Sequence, residues 1–244
     1  MKTPASEQTL SLPQPVVPDV VAIVPAAGVG KRMRADLPKQ YLTIGDKTLL
    51  EHTVHYLLEH PRISNVVIAI GAEDAYFQST SLAHNKRVVV TTGGQERADS
   101  VLAGLKATDA QWVMVHDAAR PCVRHSDIDA LIDAAATHTH GAILAAPVRD
   151  TMKRSSLDGK IETTVCRDNL WHALTPQMFL RDQLLAALEM ARDQSLAVTD
   201  EASAIELTGG APKLVAGHAD NIKVTQPEDL ALAAFFLAQR KRSQ

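Results

Sequence analysis

The sequence has few aromatic residues and no long apolar run, and these absences bound its class. Phe, Trp and Tyr make up 4% of the 244 residues, whereas 45% of the residues are hydrophobic. Alanine, valine, leucine and isoleucine must therefore build most of the core, which favours an α/β fold over an all-β sandwich. A membrane helix needs about 20 apolar residues in succession, and no run of that length occurs. We therefore expect no membrane partner.

Excess positive charge is also lacking, and cysteine is scarce. The chain has 25 basic and 28 acidic residues, so its net charge is −3 and no overall positive field favours a nucleic-acid partner. Cys122 and Cys166 lack the spacing of a metal site, and we interpret them as reduced thiols of a cytoplasmic protein. Residues 1–19 hold four prolines and no continuous apolar segment, which predicts a disordered leader rather than a signal peptide.

From residue 20 onward, apolar strand-like runs alternate with amphipathic helical patterns. Thr48 with Glu51, and Thr225 with Glu228, have the spacing of a capping box before a helix. The predicted strands lie at 20–24, 66–70, 87–91, 112–116 and 213–216, with an extended return at 170–174; the predicted helices lie near 48–59, 96–107, 126–136, 178–193 and 200–207 and from residue 227. This alternation predicts a single domain over 20–240, a doubly wound α/β fold with a mostly parallel sheet covered on both faces.

Two polar extended segments between residues 150 and 170 depart from this alternation. They lie at 151–154 and 160–166, and the turn that joins them contains Asp158 and Gly159. Such a pattern is typical of a β-hairpin. Because the segments are too polar for central strands, we predict an arm that projects from the main sheet, either exposed or in contact with a partner.

The segment from Pro25 to Lys39 follows the first predicted strand and has the composition of a phosphate-binding loop. Small residues directly after a strand allow backbone N–H groups to approach phosphate oxygens. Here these small residues are Ala26, Ala27, Gly28 and Gly30. Four basic residues follow, against a single acid: Lys31, Arg32, Arg34 and Lys39. A connection this long inside a compact domain is usually functional.

Two familiar nucleotide-binding loops fit this segment poorly. The G-x-G-x-x-G loop of dinucleotide-binding folds needs a third glycine where this chain has Met33. A Walker A loop needs Ser or Thr after its lysine, whereas Arg32 follows Lys31, and the glycine spacing also differs. A basic surface loop without a ligand remains an alternative at this point.

Six ordered motifs together resemble a known family. They are PAAGVGKRMRADLPKQY at 25–41, GGQERADSV at 93–101, VHDAARP at 115–121, APVRDTMK at 146–153, TDEASA at 199–204 and DNIKVTQPEDL at 220–230. The set is similar to the nucleotide-sugar pyrophosphorylases and cytidylyltransferases, and within them to the 2-C-methyl-D-erythritol 4-phosphate cytidylyltransferases. The resemblance covers nearly the whole chain from residue 20 to about 237 and implies a Rossmann-like nucleotidyltransferase fold.

The resemblance implies a reaction between two anionic substrates. An oxygen of 2-C-methyl-D-erythritol 4-phosphate would attack the α-phosphorus of CTP and expel pyrophosphate, in the non-mevalonate route to isoprenoid precursors. The implied cofactor is Mg²⁺ or another divalent cation, and the implied assembly is a homodimer formed through the 150–170 arm. A ribitol or other polyol phosphate remains an alternative acceptor. A non-catalytic nucleotide-binding protein and a dinucleotide oxidoreductase are alternatives of other classes.

The resemblance also implies roles for individual residues. Catalytic roles, in offsetting charge on the phosphates, fall to Arg32, Lys39, Arg167 and Lys223. Binding of CTP falls to Ala26, Ala27, Gly28, Gly30, Gly94 and Ser100. Binding of the acceptor falls to Arg120, Thr151, Arg167 and Lys223. Two positions depart from the family pattern, because Gln95 and Cys166 stand where acidic residues are expected.

Asp117 is the predicted ligand of the divalent cation. It follows a buried strand, at the edge of the sheet where ligands of α/β proteins bind. A single carboxylate that shares the ion with phosphates is a usual Mg²⁺ arrangement; pairing of Asp117 with Arg120 is the alternative. We interpret the adjacent His116 as structural, since the attacking phosphate is already ionised and needs no base.

Overall fold

A computed structural model describes residues 19–28 and 37–242 of the chain, with side chains as far as residue 240. The predicted leader lies outside this part except for its last residue, and so do Gly30 and Arg32 of the predicted phosphate loop. The strands are Val20–Pro25 (β1), Thr43–Ile44 (β2), Lys47–Thr48 (β3), Ile63–Ile70 (β4), Val88–Thr92 (β5), Trp112–Val115 (β6), Ala142–Pro147 (β7), Met152–Ser155 (β8), Ile161–Val165 (β9), Trp171–Leu180 (β10) and Lys213–Ala216 (β11). The helices are Leu49–Glu59 (α1), Arg97–Lys106 (α2), His125–Ala136 (α3), Arg181–Asp193 (α4), Glu201–Leu207 (α5) and Pro227–Arg242 (α6).

A seven-stranded sheet in the order β11-β7-β10-β6-β1-β4-β5 forms the centre of the fold. Strand β10 runs antiparallel to its neighbours β6 and β7, and the other strand pairs of this sheet are parallel. The predicted mostly parallel sheet is confirmed. Its parallel strands β1 and β6 end side by side, so the loops that follow them meet at one edge.

Helices cover both faces of this sheet, as the alternating burial of β1 shows. Val20, Ala22 and Val24 pack on the side of α1 and α3. Val21 and Ile23 pack on the opposite side, against α2, α4 and α5. Successive side chains of a strand point to opposite faces, so a strand that is apolar at every position requires a helix layer on each side. The doubly wound arrangement follows from this requirement.

The two predicted capping boxes have different outcomes. The first is confirmed, because Thr48 Oγ1 accepts from Glu51 N at 3.1 Å and the Glu51 carboxylate accepts from Thr48 N at 2.9 Å. The second is wrong, since Asp229 rather than Glu228 accepts from Thr225 N at 2.8 Å. The reason is that α6 begins at Pro227, a residue favoured at the first helical position. The third helical residue, which supplies the returning side chain, is then Asp229.

Strands β7 and β10 differ from the sequence-based boundaries. The sequence predicted no strand at 142–147, where a run rich in alanine has low strand propensity. It also predicted a helix from 178, but β10 continues to Leu180, because Gln177–Leu180 pair with β6. Cross-strand pairing overrides the local helical pattern there.

The predicted hairpin is present as strands β8 and β9, which pair antiparallel in a sheet of their own. All four residues of β8 are exposed, and so are the first four of β9. Leu157 and Ile161 in and beside the turn are among the most exposed large apolar side chains of the described chain. The hairpin therefore gains its order from its own pairing and not from burial against the domain. Among the described residues, no helix has the length and apolar character that a membrane span requires.

Candidate active site

A cavity of about 170 Å³ lies at the carboxyl ends of β1 and β6. Its walls are the turn after β1, the turn before α2, the residues that follow β6, and Lys223 from the segment before α6. Lysine ammonium groups and an aspartate carboxylate thus line the same concave site. The position agrees with the general rule that ligands of α/β folds bind beyond the carboxyl ends of the strands.

The turn after β1 is held from two sides. Ala26 N donates to Ala69 O at 2.7 Å, and Gln40 Nε2 donates to Ala26 O at 2.7 Å. Gln40 is buried and belongs to a short 3-10 helix at Lys39–Tyr41. The two ends of the predicted phosphate loop are therefore fastened to each other, and Lys39 is brought beside the small residues that follow β1.

The turn before α2 packs directly on this loop. A Cβ atom added to Gly93 would lie 2.7 Å from Ala27 Cβ and 2.7 Å from Ser100 Oγ, so a larger residue would displace the phosphate loop or α2. Gly94 N donates to Ser100 Oγ at 3.2 Å, which closes the turn. The two glycines thus allow the backbone of this turn to approach the phosphate loop, and they place Ser100 at the cavity wall.

Asp117 lies at the centre of the charged groups in the cavity. The Asp117 carboxylate is 3.0 Å from Arg97 Nε, 2.9 Å from Lys223 Nζ and 3.5 Å from Arg120 Nε. Burial works against ionisation of this carboxyl, but the charges of Arg97, Lys223 and Arg120 outweigh it and hold the pKa of Asp117 well below its usual range. Asp117 is therefore a carboxylate at every pH at which the protein would be assayed.

A buried chain of hydrogen bonds fixes the backbone beside Asp117. Thr175 Oγ1 accepts from Asp117 N at 3.0 Å and lies 3.1 Å from His116 Nδ1. His116 Nε2 lies 3.0 Å from Arg120 O. Burial lowers the pKa of His116 to about 4, so the ring is neutral at pH 7 and uses both nitrogens within the protein. This geometry agrees with the interpretation of His116 as a structural residue.

Comparison with known proteins identifies the family. A family model described as 2-C-methyl-D-erythritol 4-phosphate cytidylyltransferase matches residues 20–239. The chain belongs to this family. A relative of that description from Vibrio cholerae serotype O1 is 59% identical over 231 residues, which cover 91% of this chain and 98% of the relative. The crystal structure of the Francisella tularensis 2-C-methyl-D-erythritol 4-phosphate cytidylyltransferase is 34% identical, with a TM-score of 0.77 over 89% of this chain and 99% of that one.

A second solved structure supports the assignment at greater sequence distance. The 2-C-methyl-D-erythritol 4-phosphate cytidylyltransferase from Thermus thermophilus is 29% identical, with a TM-score of 0.75 over 89% of this chain and 98% of that one. The resemblance in the six sequence motifs thus extends to the complete fold.

The structure brings most of the predicted site residues of this family together. Eight of them line the cavity: Ala26, Ala27, Gly28, Lys39, Gly94, Ser100, Asp117 and Lys223. Gly30 and Arg32 lie outside the described residues. The remaining three, Arg120, Thr151 and Arg167, do not line this cavity. Their predicted roles stay predictions.

Those three residues lie in two different places. Arg120 is buried behind the cavity, where its guanidinium donates to Asn221 O at 2.7 Å and contacts Asp117. Thr151 precedes β8 and Arg167 follows β9, so both lie at the base of the hairpin, and both are exposed. Arg167 Nη1 donates to Arg149 O. Among the described residues of one chain, neither hairpin residue therefore forms part of the cavity wall.

Two residues of the charged cluster were missed by the sequence reasoning. Arg97 lines the cavity and pairs with Asp117, and Glu201 pairs with Arg97 from the far side. Both belong to motifs that the resemblance identified, GGQERADSV and TDEASA. The signal available in the sequence was thus the motif alone, since nothing in the local pattern indicated which of its residues faces the site.

Proposed function

We propose that the cavity at the ends of β1 and β6 is the place where CTP reacts with 2-C-methyl-D-erythritol 4-phosphate. Family membership makes the chain a CTP-dependent cytidylyltransferase of the route to isoprenoids that uses this acceptor. The observation that carries the proposal is the meeting of Lys39, Lys223 and Asp117 beside the small-residue turn after β1. We also propose a cytoplasmic location, with which the two unpaired thiols agree.

The two lysines suit the electrostatic demand of the reaction. An acceptor phosphate oxygen attacks the α-phosphorus in line, the bond to the β-phosphate oxygen breaks, and pyrophosphate leaves. Such a transfer needs positioning and charge stabilisation, with no covalent nucleophile from the protein. We assign Lys39 to the charge on the α-phosphate and leaving group, and Lys223 to phosphate oxygens at the acceptor side. Arg32 shares the first of these roles by its place in the family motif.

The turn before α2 is the proposed binding site for the cytosine base. Gly94 and Ser100 line the cavity there, and the N-terminus of α2 begins three residues after Gly94 at Arg97. Backbone groups at a tight turn can read the polar edge of a base without the bulk of a side chain. We expect the narrow cavity beside Gly94 to accept a pyrimidine and to reject the larger purine ring.

We propose that Asp117 holds a Mg²⁺ ion together with the phosphates of CTP. The donor set fits an ion that arrives with the nucleotide, because Asp117 supplies one carboxylate at the cavity wall and Mg²⁺ is commonly held by one or two carboxylates plus substrate phosphates. When bound, the ion would offset negative charge on the phosphate chain. Lys223 already contacts the same carboxylate, so the two cations would share Asp117.

The hairpin is the proposed link between two subunits. Thr151 and Arg167 do not line the described cavity of their own chain, and the strands between them are exposed. We propose that the arm of one subunit extends over the cavity of its neighbour and supplies these two residues to the acceptor. The exposed side chains of Met152 and Ile161 would then be covered in a homodimer.

The proposed activity is tested with the purified full-length chain, CTP, Mg²⁺ and 2-C-methyl-D-erythritol 4-phosphate. We expect release of pyrophosphate and formation of the cytidine diphosphate product, and no turnover when the acceptor is omitted. Ribitol 5-phosphate serves as the competing acceptor and ATP as the competing nucleotide. The absence of pyrophosphate release with all acceptors would contradict the proposal, and faster turnover with ribitol 5-phosphate would correct its acceptor.

A further inference from the structure

The TDEASA motif contains a buried carboxylate that no step of the proposed reaction uses. Glu201, the first residue of α5, is 1% exposed. Moving a carboxylate out of water is costly unless a paired charge and hydrogen bonds compensate for the loss of hydration. The partner of Glu201 therefore indicates what the residue does.

That partner is Arg97, whose guanidinium joins two carboxylates. Arg97 Nη1 donates to Glu201 Oε1 at 2.6 Å, and Nη2 donates to Oε2 at 3.1 Å. Arg97 Nε donates to Asp117 Oδ1 at 3.0 Å. The two-bond pairing with Glu201 fixes the plane of the guanidinium, and the third donor then fixes the direction from which Asp117 is held.

The backbone that carries Glu201 is itself fastened to the central sheet. Gln177 of β10 donates from Nε2 to Asp200 Oδ2 at 2.9 Å and accepts from Ala202 N at 2.9 Å. Asp200 also caps α5 by accepting from Ser203 N at 3.0 Å. The residues on both sides of Glu201 are thus anchored, so its carboxylate provides a fixed point for Arg97.

We infer that Glu201 is a positioning residue, which acts through Arg97 to hold the Asp117 carboxylate in its working orientation. The inference rests on the proposed function of the cavity. Without Glu201, two donors of Arg97 lose their acceptor, and the guanidinium is free to turn towards the phosphates of CTP. Asp117 then loses its Oδ1 partner, and Lys223, which lies on Oδ2, loses its fixed counter-charge. Because the substrates would still bind while the groups around them are misplaced, we expect turnover to fall more than substrate affinity.

The test compares Glu201→Gln with Glu201→Asp and with a matched control, Glu206→Gln, on the exposed side of the same helix. We expect kcat to fall at least tenfold in Glu201→Gln while the KM for CTP changes less than threefold. Glu201→Asp, which keeps the charge, should recover a substantial part of kcat. Glu206→Gln should match the wild type in kcat, KM and melting temperature. In an Arg97→Met background, Glu201→Gln should cause no further loss of kcat beyond twofold.

A second readout does not depend on catalysis. The Nε–H proton of Arg97 should exchange slowly with water in the wild type, as seen in nitrogen-15 NMR spectra, and at least tenfold faster in Glu201→Gln. Unchanged exchange would overturn the inference, and so would faster exchange with unchanged kcat. The inference would also be overturned if Glu201→Gln lowered the kcat of the Arg97→Met variant by the same factor as it lowers that of the wild type. If the wild-type chain releases no pyrophosphate, the proposed function fails, while the exchange measurement still decides whether Glu201 holds Arg97.

Discussion

The active-site cavity and the hairpin arm are built on opposite physical principles. Asp117 at the cavity wall and Glu201 behind Arg97 are nearly inaccessible, and cations hold them at distances between 2.6 and 3.5 Å. In the arm, strands β8 and β9 are almost fully exposed, and among the described strands they pair only with each other. The cavity is thus preorganised within one chain, whereas the arm is a structure that a second chain would complete. Changes in the cavity should affect stability and turnover together, and changes in the arm should affect turnover alone.

The largest effect is expected for Asp117→Asn in the cavity. The change removes the carboxylate that Arg97, Arg120 and Lys223 share. Arg97 keeps Glu201 as a partner, but the buried Arg120 loses its carboxylate partner. Turnover should fall about 10³-fold, and the free energy of unfolding should fall by about 2 to 4 kcal/mol. Steady-state kinetics and urea denaturation measure the two effects. A loss of turnover without a loss of stability would show that Asp117 serves the substrates alone and contributes nothing to the fold.

Arg167→Ala tests the arm. We expect turnover to fall about 100-fold, because a charge near the acceptor phosphate is lost. The free energy of unfolding should change by less than about 0.5 kcal/mol, since Arg167 is exposed. Lys213→Ala, which also removes an exposed basic residue, is the matched control and should behave as the wild type.

Mixing subunits distinguishes action within one chain from action across a dimer. Asp117→Asn chains carry an intact Arg167, and Arg167→Ala chains carry an intact Asp117. If the arm serves the neighbouring cavity, a heterodimer has one complete site, and an equal mixture should regain about one quarter of wild-type activity. If each arm serves its own cavity, mixing restores nothing, and the proposal of a shared site is wrong.

The sequence predicted which residues line the cavity but not all of the contacts among the charged residues around it. The cavity residues at 26–28, 39, 94, 100, 117 and 223 followed from motifs, because each motif places its functional residue next to a strand end or a turn. The contact between Arg97 and Glu201 did not, since the two residues are 104 positions apart. They meet because α2 and α5 both pack against α4. Local patterns predict elements and their caps; they do not predict which side chains of separate helices meet.

The hairpin and strand β10 show that local structure is easier to predict from sequence than structure formed by distant pairing. Alternating polar residues around an Asp-Gly turn sufficed to predict β8 and β9, because a hairpin is a local structure. The extension of β10 to Leu180 depends on pairing with β6, more than 60 residues earlier in the chain. The sequence-based boundary was therefore wrong at β10, whose end is determined by a distant strand.

Glu51 is a buried carboxylate outside the cavity, and its replacement should lower stability without lowering turnover. Glu51 accepts hydrogen bonds from Thr48 and Ser81 through both of its oxygens. Burial works against its ionisation, but these bonds outweigh it and lower the pKa of Glu51 to about 2 from 4.5. Glu51→Gln should therefore cost about 2 to 3 kcal/mol of unfolding free energy at pH 7, with kcat unchanged.

The stabilisation by Glu51 should depend on pH in a defined direction. Because the pKa of Glu51 is lower in the folded protein, its stabilisation is present above pH 4.5 and is lost as the pH falls towards 2. The difference in unfolding free energy between wild type and Glu51→Gln should shrink over this range. A difference that is constant with pH would mean that the residue acts through packing and not through its charge.

The smallest effect concerns the two cysteines, one in the domain core and one at the base of the arm. Cys122 is buried in the domain, and burial raises the pKa of its thiol to about 12, so almost no thiolate forms at pH 8. Cys166 is exposed just after β9, beside Arg167. Iodoacetamide should therefore modify Cys166 within minutes and leave Cys122 unmodified until the protein is unfolded, as mass spectrometry of peptides would measure.

If the arm covers a neighbouring cavity, alkylation of Cys166 should also slow when subunit concentration is raised, because dimerisation shields the arm. A rate that is independent of concentration, in a chain shown to remain monomeric over the same range, would place the arm in solvent and remove the physical basis for a shared site.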